Sequence, residues 1–199
     1  MEKFLAYVNN SDENPYIKAT VAHLWFLTIH PFDDGNGRIA RTITNYILSK
    51  ELSFEHCYFS ISTAIAKEKK NYYALLEKTQ KLLSNKDLNS EPWIEWHSKM
   101  IQSAIEESLQ QIQKVLAKTA FWERARKESL NARQIKVLNK LLDIGKEEFE
   151  GGLNVKKYIS MTKTSPATAK RDIADLVNKG LLAKVPQSAG RNTRYELVL

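Results

Sequence analysis

The sequence predicts a mainly helical protein of two domains, a larger all-helical one over residues 1–128 and a small α+β domain over residues 129–199. Apolar residues recur at helical spacing through most of the first domain, whereas β-rich runs with clear boundaries occur only near the C-terminus. The charge changes at the same point. Residues 130–199 carry 13 Lys and Arg against 7 Asp and Glu, and the residues before them carry 17 against 16. A basic face on a small domain is typical of nucleic-acid binding, and a solvated basic surface is the alternative.

Length and composition limit the protein class. At 199 residues the chain can bury a core in each domain. Its single cysteine, Cys57, cannot form an internal disulfide, which suits a reducing compartment. The N-terminus lacks a charged and then apolar leader, and the longest apolar run, near residues 21–29, is too short to span a bilayer. We therefore expect a cytoplasmic protein without a membrane partner.

Apolar spacing predicts five helices in the first domain. In chain order they cover residues 1–10, 16–29, 37–50, 62–83 and 92–127. The second of them carries Ile17, Val21, Leu24 and Thr28 at helical spacing, and the last has Pro92 in its first turn. Residues 52–61 fit a loop or a short strand, and the sequence does not decide between them.

Residues 30–41, which read His-Pro-Phe-Asp-Asp-Gly-Asn-Gly-Arg-Ile-Ala-Arg, concentrate groups that can do chemistry. Pro31 ends the preceding helix, which brings His30 to a helix end. His30 is the obvious proton acceptor, and Asp34 is placed for Mg²⁺, which takes one or two carboxylates plus phosphate oxygens. Each has a plainer interpretation as well: His30 as a C-terminal cap, and Asp34 as an ordinary turn carboxylate.

The glycines of this stretch predict an anion-binding loop. Gly35 and Gly37 flank Asn36 and tolerate positive φ, so neighbouring N–H groups can point together into a nest. A helix starts directly after them and adds its N-terminal partial charge. Arg38 and Arg41 lie three apart on its first turn, where they can share a face and reach the outer phosphates of a nucleotide.

The stretch resembles the Fic family signature, His-x-Phe-x-(Asp/Glu)-Gly-Asn-Gly-Arg-x-x-Arg. All eight defined positions match, and they are His30, Phe32, Asp34, Gly35, Asn36, Gly37, Arg38 and Arg41. The resemblance implies a helical core that transfers AMP from ATP, with Mg²⁺, to a Ser, Thr or Tyr hydroxyl of a target protein. The kinase-like Doc branch of the family carries a lysine in place of the second glycine, so Gly37 favours nucleotidyl transfer.

By position, the resemblance makes His30 the general base and Asp34 the magnesium ligand, and Phe32 would anchor the loop in the core. The ATP-binding residues would be Gly35, Asn36, Gly37, Arg38 and Arg41, with the two arginines on the leaving pyrophosphate.

Tyr72 and Tyr73 are the second nucleotide-binding candidates. Adjacent helical residues point in different directions, so one ring can face the core while the other lies against a base. Fic proteins carry a similar pair beside the adenine pocket, and packing of both rings in the core is the alternative. His97 is interpreted as a packing or surface residue.

Residues 134–142, 155–160 and 166–179 predict three helices, and two strands at 181–185 and 192–198 enclose a basic hairpin. This order resembles a winged helix-turn-helix domain, whose partner would be double-stranded DNA. The resemblance brings Ser165, Thr168 and Arg171 to the major groove and Arg191 and Arg194 to phosphates. A domain of this kind that contacts only proteins is the alternative.

Fic cores normally begin well before the position of Met1, and no hairpin pattern precedes His30. We therefore expect an N-terminally incomplete core without the β-hairpin flap that aligns the target, and residues 103–108 match the family's inhibitory helix only in part. Two functions remain: an AMP-transferring enzyme, or a DNA-binding regulator whose nucleotide site senses or is vestigial. The target protein, the modified residue, the DNA sequence and the oligomeric state, a homodimer included, stay open.

Overall fold

The computed structural model describes residues 1–53, 58–84, 89–144, 152–186, 188, 190 and 193–199, with the backbone alone for residues 82–84. It divides into two compact units, Met1–Gln110 and Gln111–Leu199. Most of the described residues are helical, as the sequence predicts, and a two-stranded sheet lies near the C-terminus. The predicted boundary at residue 128 stays a prediction. No helix in these ranges combines the length and apolar character that a membrane span needs.

Six helices begin in the described part of the first unit. They are α1 (Glu2–Asn10), α2 (Pro15–Ile29), α3 (Asn36–Glu51), α4 (Ile61–Lys67), α5 (Lys69–Ser84) and α6 (Glu91–Ala125), the last of which continues into the second unit. Local sequence explains where they start. The Asn14 side chain accepts the Tyr16 N–H at 3.0 Å ahead of α2, and Ser60 caps α4 in the same way.

The helix predicted over residues 62–83 is two helices. Glu68 lies between α4 and α5 with φ −108° and ψ 25°, and its N–H donates to the Ile65 carbonyl, three residues back, at 3.1 Å. No glycine or proline marks this break, so the apolar spacing merges the two segments. Residues 54–57, which belong to the undecided segment, lie outside the described residues.

Helix α2 is the centre of the first unit. Its buried residues point in all directions and include Ala19, Ala22, Leu24, Phe26 and Leu27, whereas Thr28 is exposed. The spacing of apolar residues therefore locates this helix but not its buried face, as expected for a helix enclosed by others. Lys18 is buried too, and its Nζ donates to Glu51 at 2.7 Å and to the Ser11 carbonyl at 2.9 Å. That ion pair ties α2 to the end of α3.

The second unit contains α7 (Ala132–Ile144), α8 (Val155–Thr162), α9 (Pro166–Asn178), β1 (Leu182–Lys184) and β2 (Tyr195–Leu197) after the end of α6. The strands are antiparallel with Ala183 opposite Glu196, and Leu153 forms an isolated bridge to Tyr195. These elements follow the predicted order of helices and strands. Their assignment to a winged helix stays a prediction.

Capping residues fix the ends of α9. Ser165 accepts the Thr168 N–H at 3.2 Å, and Pro166 occupies the first turn. At the other end Gly180 has φ 67°, and the N–H of Leu181 returns to the Leu176 carbonyl at 3.0 Å. This is the glycine-terminated helix end that the sequence predicts.

Candidate functional site

The end of α2 turns His30 out of the helix. His30 has φ 49° and ψ 57°, its N–H donates to the Phe26 carbonyl at 3.0 Å, and its side chain is exposed. Pro31 predicts the helix end correctly, but it favours extended backbone before it, and the structure has a left-handed residue instead. Histidine adopts this conformation more readily than most side chains. The imidazole is thereby free of the helix and open to a ligand.

Asn36 clamps the loop that follows. Its side chain is 3% exposed, its Oδ1 accepts the Phe32 N–H at 3.2 Å, and its Nδ2 donates to the Phe32 carbonyl at 2.5 Å. The amide is thus used inside the loop. Phe32 itself is 51% exposed, so the expectation that its ring anchors the loop in the core is wrong. The Asn36 amide takes that role through the Phe32 backbone.

Gly35 starts α3 in a left-handed conformation, with φ 83°, and its carbonyl accepts the N–H groups of Arg38 and Ile39 at 2.9 and 3.0 Å. Within the described chain, the N–H groups of Gly35, Asn36 and Gly37 donate to no backbone carbonyl, which suits an anion at a helix start. Gly37, which would also tolerate positive φ, is helical. A Cβ there would meet nothing within 4 Å, so the missing side chain keeps the surface open.

The two arginines of α3 have different environments. Arg41 is half-buried, and its Nε donates to the Gly37 carbonyl at 2.9 Å. Its charge acts on the imidazole of His23 and on the phenol of Tyr72. Arg38 is exposed and does not line the cavity that Arg41 lines. The three-residue spacing therefore brings one of the two predicted phosphate contacts to the cavity wall.

A cavity of about 510 Å³ brings the loop and α5 together. Five of the residues singled out in the sequence line it: His30, Gly37, Arg41, Tyr72 and Tyr73. The remaining wall consists of Leu27, Ile65, Ala66, Lys69, Leu76 and Gln80. The volume falls within the range of small-molecule sites, ~300–1,000 Å³, and the wall combines apolar surface with a few polar groups.

The tyrosines divide between core and surface. Tyr72 is 7% exposed and Tyr73 56%, with ring centroids 5.1 Å apart in an edge-on arrangement. Burial raises the pKa of Tyr72 to about 12, although the nearby Arg41 charge opposes the rise. Pattern analysis missed Lys69 and Gln80 on the same wall. They lie four residues before and seven after Tyr73, so a helical projection from Tyr73 would have found both.

Asp34 is exposed on the loop and lies outside the lining of the cavity. Within the described residues the Asp34 carboxylate makes no hydrogen bond or ion pair. The same residues contain no group of three His, Cys, Asp or Glu side chains that could bind a metal ion without other ligands. One free carboxylate fits a Mg²⁺ ion that takes its other ligands from phosphates and water. It does not fit an ion held by the protein alone.

The loop has counterparts among known proteins. Residues 1–48 match the Fic/DOC family. The matched segment includes the whole loop from His30 to Arg41 and most of α3. The structure of the chain is also similar to the crystal structure of a Fic family protein from Desulfovibrio desulfuricans G20, with 19% sequence identity and a TM-score of 0.48. That likeness covers 98% of this chain and 53% of the other, so this chain spans about half the length of that protein.

The predicted DNA-binding residues of the second unit lie around α9. Ser165 and Arg171 are exposed, whereas Thr168 is half-buried and its hydroxyl lies 2.9 Å from Ser165 Oγ. Both hydroxyls are therefore engaged at the helix start, and Arg171 is exposed on the outer face of α9. Arg194 is exposed at the start of β2. Arg191 lies outside the described residues.

A buried carboxylate fixes α9 to its neighbours. Asp172 accepts two hydrogen bonds from Arg133 of α7, at 2.8 and 3.1 Å, one from Asn131 at 3.1 Å and one from Tyr158 of α8 at 2.9 Å. Burial alone would raise the pKa of Asp172, but these donors outweigh it and lower the pKa. Sequence analysis did not identify this cluster, because Asp172 and Arg133 lie 39 residues apart.

Proposed function

We propose that this chain transfers AMP from ATP to a Ser, Thr or Tyr hydroxyl of a target protein. The observation that carries the proposal is the cavity in which His30, Gly37 and Arg41 meet Tyr72 and Tyr73. It combines a free imidazole, a helix start, a cation and aromatic rings, which are the groups that a nucleotide needs. The match of residues 1–48 to the Fic/DOC family supports the same chemistry.

The cavity suggests how ATP lies in it. The exposed ring of Tyr73 offers a flat surface to the adenine, and Gln80, two turns further along α5, offers an amide that can both donate to and accept from the base edge. The phosphates lie at the start of α3, against the free N–H groups of the glycine loop and the Arg41 guanidinium. Asp34 is the carboxylate that would hold a Mg²⁺ ion, and such an ion would supply positive charge beside the phosphates.

The proposed reaction is one nucleophilic substitution at the α-phosphorus. The target hydroxyl loses its proton to the His30 imidazole as its oxygen bonds to the α-phosphorus, and the bond to the β-phosphate oxygen breaks. Pyrophosphate leaves with the electron pair of that bond. Arg41 stabilises the charge that develops on the leaving group. The products are the AMP-bearing side chain, pyrophosphate and a protonated histidine.

ATP labelled in two positions tests this function. The chain is incubated with cell lysate and ATP labelled either at the α- or at the γ-phosphate, and labelled proteins are identified by mass spectrometry. We expect α-label, with AMP on a hydroxyl side chain, and no more γ-label than the kinases of the lysate transfer without the chain. His30→Ala serves as the control for label that arrives without the site. An increase in γ-label alone would show a kinase, and α-labelling that is as strong with His30→Ala would exclude this site.

A second function, binding to duplex DNA, is favoured by the exposed face of α9. Lys170 and Arg171 lie on that face, and the hydrogen bonds to Asp172 hold the helix in place. Contacts to phosphates make affinity fall with salt, with a log–log slope of about −0.9 for each one. Fluorescence anisotropy on mixed duplexes at two salt concentrations tests this. Arg171→Ala should relax sequence preference, whereas undetectable binding at low salt would assign the domain to protein contacts.

A further inference from the structure

A cluster of polar side chains lies in the core of the first unit, beside the wall of the cavity. Its centre is His23 of α2, which is 0% exposed. His23 Nδ1 lies 2.9 Å from Thr44 Oγ1 of α3 and 3.1 Å from His97 Nε2 of α6, and His23 Nε2 lies 3.4 Å from the Tyr72 hydroxyl of α5. Four helices therefore meet at one imidazole. One of them begins at the glycine loop, and another carries the tyrosine wall.

Both imidazoles of the cluster are neutral near physiological pH. Burial lowers the pKa of His23 well below its usual value, and the neighbouring His97 and Arg41 add to that effect. Burial lowers the pKa of His97 to about 3. A neutral imidazole has one donor and one acceptor nitrogen, so the hydrogen bonds of the cluster must run in a consistent direction. His97 is thus the packing residue that the sequence predicts, with a directional hydrogen bond in addition.

Thr44 sets that direction. Its hydroxyl lies 3.1 Å from the Ala40 carbonyl and donates its single proton there, so its oxygen accepts from His23 Nδ1–H. His23 Nε2 then carries the lone pair and accepts the Tyr72 hydroxyl proton. The hydrogen bonds of His97 run in the same direction. Its Nε2 accepts from His23 Nδ1–H, and its own Nδ1–H donates to Thr20 Oγ1 at 3.0 Å. In this arrangement the single Nδ1–H of His23 is shared between Thr44 Oγ1 and His97 Nε2.

We propose that His23 is a positioning residue for the nucleotide pocket, because it holds the Tyr72 hydroxyl and thereby fixes the ring that forms part of the cavity wall. His23 does not line the cavity, so it acts through Tyr72. The effect on ATP rests on the proposed function. The hydrogen bond between His23 and Tyr72 stands on the geometry alone, and it can be tested without ATP.

Two conservative variants separate the two nitrogens of His23. His23→Gln places an amide near the position of Nε2, within reach of Tyr72, whereas His23→Asn places one near Nδ1 and leaves Tyr72 without a partner. We expect His23→Asn and Tyr72→Phe each to weaken ATP binding about tenfold, the loss of one hydrogen bond. His23→Gln should restore most of the affinity. The rate of transfer at saturating ATP should stay unchanged in both His23 variants, since His23 does not line the cavity and the reacting groups are untouched.

The combined variant and a matched control decide between positioning and packing. His23→Asn together with Tyr72→Phe should bind ATP no more weakly than either single variant, because both remove the same bond. Thr20→Val removes the hydroxyl at the far side of His97 and should lower stability without changing ATP affinity. Additive losses for His23 and Tyr72, or an equal loss for Thr20→Val, would overturn the proposal.

Nitrogen-15 NMR of the imidazoles distinguishes failure of this proposal from failure of the nucleotide function. If the parent chain binds no ATP, the proposed function fails, and the NMR experiment still decides the positioning role. We expect His23 as the Nδ1–H tautomer, with an Nε2 resonance that shifts in Tyr72→Phe and stays in place in Thr20→Val. An Nε2 resonance that Tyr72→Phe leaves unchanged would show that His23 does not hold the tyrosine.

Discussion

The two units bury their polar side chains in opposite ways. In the first unit the cluster around His23 is uncharged, and in the second the cluster around Asp172 is an ion pair with Arg133. A neutral cluster places no charge beside a cavity that is proposed to take an anion, so Arg41 supplies the positive charge there. In the second unit the Asp172 carboxylate is turned inward against Arg133, whereas Lys170 and Arg171 are exposed on α9, with the partly exposed Asp175 paired to Lys179 one turn further on. The first cluster therefore adds no charge beside the proposed nucleotide, and the second withdraws one carboxylate from the surface of α9.

The largest expected effect separates the exposed histidine from the buried ones. His30→Ala should lower AMP transfer by ~10²–10⁴, as typical for loss of a general base, while ATP affinity stays nearly the same. His23→Asn should show the reverse, a loss of affinity at an unchanged saturated rate. Single-turnover rates and calorimetry on both variants measure the contrast. Transfer by His30→Ala at the parental rate would remove His30 from the mechanism.

The next effect is a difference in pH dependence. His23 and His97 have lowered pKa values in the folded state, so the unfolded chain binds their protons first as the pH falls. The stability of the first unit should therefore be complete above pH ~6.5 and decline below it, by up to about 1.4 kcal/mol per pH unit for each histidine. The pKa of Asp172 is lowered as well, but the unfolded reference is ~3.9, so the second unit should lose that contribution only below about pH 4.

Segment-resolved hydrogen exchange from pH 7 down to about pH 2, corrected for the intrinsic exchange rate, measures both windows. We expect α2 and α3 to lose protection first. Thr20→Val is a useful control, because it weakens the cluster without removing either titrating group. If α9 opens before α2 on acidification, the contrast between the two clusters is wrong.

Sequence patterns could predict what depends on neighbouring residues. Pro31 and Gly35 mark the end of one helix and the start of the next, and Ser165 with Pro166 marks the start of α9. The cavity itself is predictable in part, because the family signature and the tyrosine pair point to its two sides. The contacts between residues that lie far apart in the sequence could not be predicted from such patterns. His23 and His97 are 74 residues apart, and no local pattern around either residue indicates that their side chains are in contact.

In the loop of residues 30–41, too, the sequence does not predict which side chain makes a given contact. The family resemblance implies that Phe32 anchors the loop in the core and that Asn36 is among the ATP-binding residues. In the structure the Asn36 amide holds the loop through the Phe32 backbone, since backbone groups in a tight loop need hydrogen-bond partners, and the Phe32 ring is exposed. Arg38 and Arg41 illustrate the same point, because spacing relates them to each other but not to the cavity.

Removal of the Asp172 charge should have an intermediate effect. Asp172→Asn replaces an acceptor of four hydrogen bonds by an amide whose NH₂ group faces the same donors. Leaving a buried donor without a partner costs about 1–3 kcal/mol, and the loss should fall on the second unit. Asp175→Asn is the matched control on the same helix, because that side chain is 43% exposed. Urea unfolding of both variants, followed by hydrogen exchange in α9, measures the difference, and equal losses would show that burial of Asp172 is irrelevant.

The smallest expected effect concerns the two glycines of the loop, where stability and binding should move in opposite directions. Gly37 is helical and a Cβ would meet nothing within 4 Å, so Gly37→Ala should stabilise α3 by up to about 1 kcal/mol through lower backbone entropy in the unfolded chain. The same methyl group enters the cavity where the phosphates are proposed to lie, so ATP affinity should fall.

Gly35→Ala is the matched control. It also meets open space, but its φ of 83° costs an L-residue about 1–2 kcal/mol, so it should destabilise the first unit. Thermal unfolding and calorimetry on the pair separate backbone strain from ligand contact. If Gly37→Ala binds ATP as tightly as the parent, the phosphates do not approach the helix start, and the anion site must be sought on the Arg41 side of the cavity.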